Sequence, residues 1–176
     1  MRRPFALLIV GLAVTAALVA AGCGKKTVTT TGSNGQTTTR TVPNVHFAKT
    51  KFLLHTGLAF GSLKHWIITP YSSGAFKKGA PGRTKAQVKA AAAGTFAINE
   101  LRLARNAALS DDKLRGLGDK LGSLSSDAAA LVPTLTSGSF NPAKLAGLGG
   151  SVATIAGLAK KAGVPITEQL PPGLGG

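Results

Sequence analysis

The chain has 176 residues, with 21 Lys and Arg against six Asp and Glu and a formal net charge of +15. Its one cysteine excludes an intrachain disulfide framework, and an aromatic share of 5% leaves any core to Leu, Ala, Val and Ile. Such a charge draws anionic partners and opposes self-association. It is unevenly spread: residues 24–99 hold eleven Lys and Arg and no acid, and all six acids lie from Glu100 onward.

The first segment has a short basic lead, Met1-Arg2-Arg3, and an apolar run over residues 5–21. Small residues then lead to the cysteine. The end of this run, Val19-Ala20-Ala21-Gly22-Cys23, resembles a bacterial lipobox. Ala20 stands where such boxes carry Leu, Val or Ile, and Val19 lies one place earlier. The resemblance implies a lipoprotein signal peptide over 1–22, cleavage before Cys23 and acylation of that cysteine. It implies a cell-membrane protein, anchored by lipid on the extracytoplasmic face. The competing readings are simple secretion after cleavage and an uncleaved membrane helix. About 17 apolar residues lie at the lower limit for a span, and Lys25-Lys26 would favour the reverse orientation. Cleavage leaves 154 residues, enough for one domain with a core. It also removes Arg2 and Arg3, so 19 bases face six acids, a net +13.

Residues 23–43 carry the cysteine and a stretch rich in Thr and Gly with no apolar periodicity. Such a composition cannot bury a core, so we expect a disordered, flexible tether. Its r.m.s. reach would be roughly 25 Å.

Residues 44–164 read as helical. Asn44 can cap a first helix over 45–68, stopped by Pro70. Phe52, Leu63 and Trp66 would face inward, with Ala59 and Phe60 between them. The connection over 70–83 is long for a bundle. Thr84 and Gln87 fit a capping box for a second helix over 85–109, with Val88, Ala91, Thr95 and Ile98 on one stripe. Ser110-Asp111-Asp112 starts a third helix, its acids in the first turn. Leu114, Leu117, Leu121, Leu124, Ala128, Leu131 and Leu135 recur at alternating spacings of three and four, a heptad seam that Pro133 is expected to cut short. Asn141-Pro142 opens a fourth helix, with Leu145, Leu148, Val152, Ile155, Ala159 and Ala162 as its seam. Lys160, Lys161, Gly163 and Pro165 end it. The fold class expected is all-α, a four-helix up-down bundle, followed by a loose C-terminal tail over 165–176.

Known chemistries lack their residues. A di-iron bundle needs Glu-x-x-His pairs, and Glu100 has Leu103 three residues on. Haem attachment needs Cys-x-x-Cys-His. A phosphate loop fails because Ala80-Pro81 follows Gly79 where Lys and Ser/Thr belong. On one helix, His55 would stand about 180° from His46, and His65 about 80° from His55, so the three histidines share no metal. No catalytic set, metal site or cofactor is expected, and the chain is read as a non-enzyme.

Two clusters remain. Lys77, Lys78, Arg83 and Lys85 gather beside glycines at a helix N-terminus, where an anion or lipid headgroup is favoured, and Phe76 and Tyr71 could dip into a headgroup layer. His55, Trp66 and Glu100 could line a small polar pocket between the first two helices. Gly57-x-x-x-Gly61 allows a close helix contact. The function expected is binding or scaffolding at an anionic envelope surface: lipid, cell-wall polymer or an acidic protein. The alternatives are a membrane-active helical protein and a carrier of a small apolar ligand inside the bundle. Export makes a nucleic-acid partner a poor fit.

Overall fold

A computed structural model describes residues 24–31 and 35–173. The signal segment, the lipobox and Cys23 lie outside the described residues. The chain divides after Asn44 into two compact units.

The first unit contains a hairpin in place of the expected tether. Strands β1 (Lys25–Thr31) and β2 (Thr37–Pro43) pair antiparallel, with Lys25 opposite Pro43 and Thr31 opposite Thr37. The Asn44 N–H donates to the Gly24 carbonyl at 2.8 Å and closes the open end. Thr29 and Thr39 are direct partners, their hydroxyls 3.4 Å apart. The β-branched threonines that make this stretch poor in core-forming residues also favour extended backbone. That preference, with cross-strand Thr pairs, overrides the compositional expectation of disorder.

The second unit is helical. Helix α1 (Ala48–Leu63) runs into a π-helical turn (Lys64–Ile68) and then α2 (Thr69–Ser72). Helices α3 (Arg83–Ser110), α4 (Arg115–Ser137) and α5 (Pro142–Lys161) follow. α1 is not capped by Asn44. Phe47 precedes it in left-handed conformation, φ 55°, and the Val45 N–H donates to Ser110 Oγ at 3.1 Å.

Pro70 does not stop the first helix. A proline inside a helix lacks its N–H and crowds the carbonyl four residues back, here that of Trp66. The turn ahead of it is wider: the Thr69 N–H donates to Lys64, five residues away. The extra residue absorbed by this π turn relieves the crowding, and the helix continues to Ser72. Pro133 is likewise carried inside α4. The hydroxyls of Thr134, Thr136 and Ser137 bond carbonyls of the last turns, and Gly138 at φ 69° ends the helix.

α3 packs against both α1 and α4. Its buried face is not the expected stripe. Val88 is 56% exposed and Thr95 is exposed, whereas Ala90, Ala93, Gly94, Ala97, Leu101, Ala104, Ala107 and Ala108 are buried. The central position explains this. Small side chains let two neighbours approach one helix closely, and a Cβ added at Gly94 would lie 2.5 Å from Val132 Cγ2. The capping box does not form either: Gly82, at φ 68°, precedes α3 and Gln87 is buried.

The leucine seam of α4 is buried at every expected position, as are Leu145, Leu148, Val152, Ile155 and Ala159 of α5. α4 begins at Arg115, after a turn in which Asp111 Oδ1 accepts from the Lys113 and Leu114 N–H groups. Asn141 caps α5, its Oδ1 accepting from the Ala143 N–H at 2.9 Å.

The C-terminal tail is a docked strap, not a loose end. The Gln169 N–H donates to the Gly57 carbonyl at 3.0 Å, Lys64 Nζ pairs with Glu168 at 2.9 Å, and Val164 and Pro171 are buried. A Cβ on Gly57 or Gly61 would collide with the backbone of Thr167 or Gln169. The Gly-x-x-x-Gly pair of α1 therefore seats an extended segment rather than a second helix.

Candidate functional site

The connection from α2 to α3 carries the first cation cluster. Gly74, Gly79 and Gly82 adopt positive φ, and the Lys77, Ala80 and Arg83 N–H groups each donate to the carbonyl three residues back. These successive turns leave Lys77, Lys78 and Lys85 exposed. Arg83 is different: its Nε donates to the Phe76 carbonyl at 3.0 Å, and its guanidinium lies against Gly138 at the end of α4. It holds the loop down instead of facing an incoming anion. Phe76 is 3% exposed and meets Phe140 edge-on at 5.7 Å, and Tyr71 meets the same ring at 6.0 Å. The expectation that Phe76 reaches a headgroup layer is overturned, because its ring fills the core beneath the loop.

The second cluster separates into two. His55 Nδ1 and Glu100 Oε2 lie 2.7 Å apart, their side chains 20% and 8% exposed. The pair joins α1 to α3 in a setting where an unmatched carboxylate would be costly. Trp66 belongs elsewhere, one side of a cleft between the π turn and the start of α3.

That cleft has a volume of about 420 Å³. His65, Trp66 and Pro70 form one wall, and Lys85, Ala86 and Lys89 the other. His65 stacks edge-on to Trp66 at 4.6 Å. Lys89 Nζ stands 5.0 Å from the centre of the indole ring, within cation–π range. Trp66 Nε1 is buried without a hydrogen-bond partner among the described residues. Among the described residues, no Asp or Glu lines the cleft. Lys85 and Lys89 are one helical turn apart and share a face of α3.

The structure thus brings Trp66 and Lys85 together, one from each sequence-derived cluster, and adds His65 and Lys89. The signal for Lys89 was its spacing of four from Lys85. The signal for the π turn was Pro70, four residues after Trp66. Among the described residues, no three His, Cys, Asp or Glu side chains gather as a metal site requires. Comparison with protein-family models, curated proteins and solved structures found no match.

Proposed function

We propose that this chain is a lipoprotein of the bacterial cell envelope, acylated at Cys23 and held at the extracytoplasmic face of a membrane. In this reading residues 1–22 are a signal peptide, and the helices of the second unit form an up-down bundle that binds or scaffolds at an anionic surface without catalysis. The observation that carries it is Val19-Ala20-Ala21-Gly22-Cys23, which places the chain's one cysteine where an apolar run ends. A net charge of +13 after cleavage and three exposed lysines around the start of α3 support an anionic partner. Among the described residues no helix is long and apolar enough to cross a membrane.

The test is metabolic labelling with a palmitate analogue in a bacterial host, comparing the parent chain with Cys23→Ser. The parent should take up label and sediment with membranes, and C23S should do neither. Equal behaviour of the two would dismiss the anchor.

A further inference from the structure

We infer that the start of α1 is a membrane-contact surface, at which Phe47 enters the anionic leaflet that carries Cys23 while Lys49 and Lys51 meet its headgroups. The inference rests on the proposed acylation of Cys23 for the identity of the surface, and adds which end of the helical unit faces it.

The first observation is Phe47 itself. Its ring is 82% exposed, the most of any large apolar side chain among the described residues. Its backbone stands at φ 55° and ψ 41°, in the left-handed region that a bulky side chain rarely adopts. Such a conformation persists only where its surroundings hold it. Two hydrogen bonds flank it here. The Val45 N–H donates to Ser110 Oγ, and the Phe47 carbonyl accepts from the Lys51 N–H at 3.0 Å. A costly backbone thus holds an apolar ring out in water on a firm base, which burial of a core does not require.

The second observation is the closure of the hairpin. Cys23 is bonded to Gly24, whose carbonyl accepts from the Asn44 N–H at 2.8 Å. Residues 24–44 therefore fold back on themselves and add almost no length to the tether. From Cys23 to Phe47 the path is one peptide step, that hydrogen bond and three further peptide steps, at most about 20 Å. The same stretch fully extended would reach roughly 80 Å. An acyl group on Cys23 thus keeps Phe47 close to the headgroup layer, where aromatic side chains insert.

Charge is the third. α1 has no acid, and Lys49 and Lys51 are exposed in its first turn. Asp111 and Asp112 lie at this end, because they follow the Ser110 that Val45 binds. Asp112 pairs with Arg115, and Asp111 Oδ1 accepts from the Lys113 and Leu114 N–H groups. With Lys113 and Arg115 beside the two acids, that turn is neutral overall. Glu100 pairs with His55 and Glu168 with Lys64. Asp119 and Asp127 belong to α4, and α3 packs between α4 and α1. Lys49 and Lys51 are therefore surplus cations at the end where the chain enters the helical unit. Each lysine beside an anionic leaflet strengthens attachment about fivefold. Trp66 lies about 25 Å further along the helix axis. Lys85 stands beside it, so the start of α3 is at the opposite end from Phe47.

The test reads the two ends separately. The full chain is extracted from bacterial membranes and placed in vesicles of phosphatidylcholine and phosphatidylglycerol, with part of the lipid brominated just below the headgroups. Bromine quenches an indole only at close range. The parent reports Trp66, the one tryptophan. Phe47→Trp with Trp66→Phe reports position 47, and far-UV circular dichroism checks its fold. Phe47→Trp alone gives the same quantity as the increment over the parent. The expected result is quenching at position 47 several-fold above that of Trp66. Lys49→Gln with Lys51→Gln should lower the docked-to-undocked ratio at position 47 by at least about tenfold. Lys77→Gln with Lys78→Gln, equal in charge and at the other end, should leave it unaltered. An indole at position 47 quenched no more than Trp66 overturns the inference. So do equal loss in K77Q/K78Q and no loss in K49Q/K51Q. A signal that follows protein concentration instead of lipid also overturns it, since the occupant would then be a second copy. The intact mass of each sample reports Cys23. Where the thiol is bare, it is coupled to a maleimide lipid before the measurement, so a failed anchor and a failed contact are separate results.

Discussion

Gly61→Ala is the substitution whose sign depends most on the strap. In an isolated helix the change stabilises by about 1 kcal/mol, because alanine loses less backbone freedom than glycine. Here the new Cβ would stand 2.7 Å from the Gln169 carbonyl carbon and 3.0 Å from its nitrogen, closer still to its oxygen. Backbone cannot swing aside as a lysine tail can, so the strap must lift. Lifting it forfeits the Gln169-to-Gly57 hydrogen bond, about 1 kcal/mol net. The Lys64–Glu168 pair is exposed on both sides and adds well under about 1 kcal/mol. Uncovering the Pro171 ring adds a further contribution of about 1 kcal/mol. The losses come to about 2–3 kcal/mol against the helix gain, so G61A should destabilise by about 1–2 kcal/mol. Gly157→Ala in α5 is the matched control, since a Cβ there meets nothing within 4 Å. It should stabilise by about 0.5–1 kcal/mol. Urea denaturation followed by far-UV circular dichroism gives both numbers, and hydrogen exchange at the Gln169 amide reports the strap itself. If G61A stabilised as G157A does while that amide kept its protection, the docked strap would be refuted.

Three further outcomes follow from the packing. Phe76→Ala should cost about 3–5 kcal/mol in thermal or urea unfolding because its ring is enclosed, whereas a ring poised at a membrane would cost almost nothing. His55→Ala leaves the Glu100 carboxylate buried without its partner and should cost about 2 kcal/mol, while His55→Ala with Glu100→Leu should recover part of that loss in the same assay. Ala97→Leu, on the enclosed face of α3, should destabilise by about 1–3 kcal/mol through overpacking, and Val88→Ala, on the exposed face, should stay within about 0.5 kcal/mol of the parent.

The parts of the fold that could be read from the chain were those where large aliphatic residues repeat. In α4 and α5 leucines alternate at three and four, and no competing stripe exists, so the buried face followed directly. α3 misled because its buried face is built from alanine. Val88 and Ile98 outweigh alanine in hydropathy, yet the helix packed between α1 and α4 needs slenderness more than greasiness. Pro70 and Pro133 have the pattern of helix stops, but a π turn accommodates the first and the second sits within a turn of the helix end. The hairpin carried no apolar alternation, since its two strands read KKTVTTT and TTTRTVP. The strap depends on two glycines of α1 meeting a segment more than 100 residues later, a juxtaposition that spacing within a helix cannot show. At the site, Trp66 and Lys85 were each noticeable, but only the path of the chain through the π turn brings them to one cleft.

The most direct measurement of the central claim is intact mass spectrometry of the protein extracted from bacterial membranes. The account requires a chain whose first residue is Cys23 and whose excess mass equals that of added acyl groups. A chain that still begins at Met1 with an unmodified cysteine would contradict it.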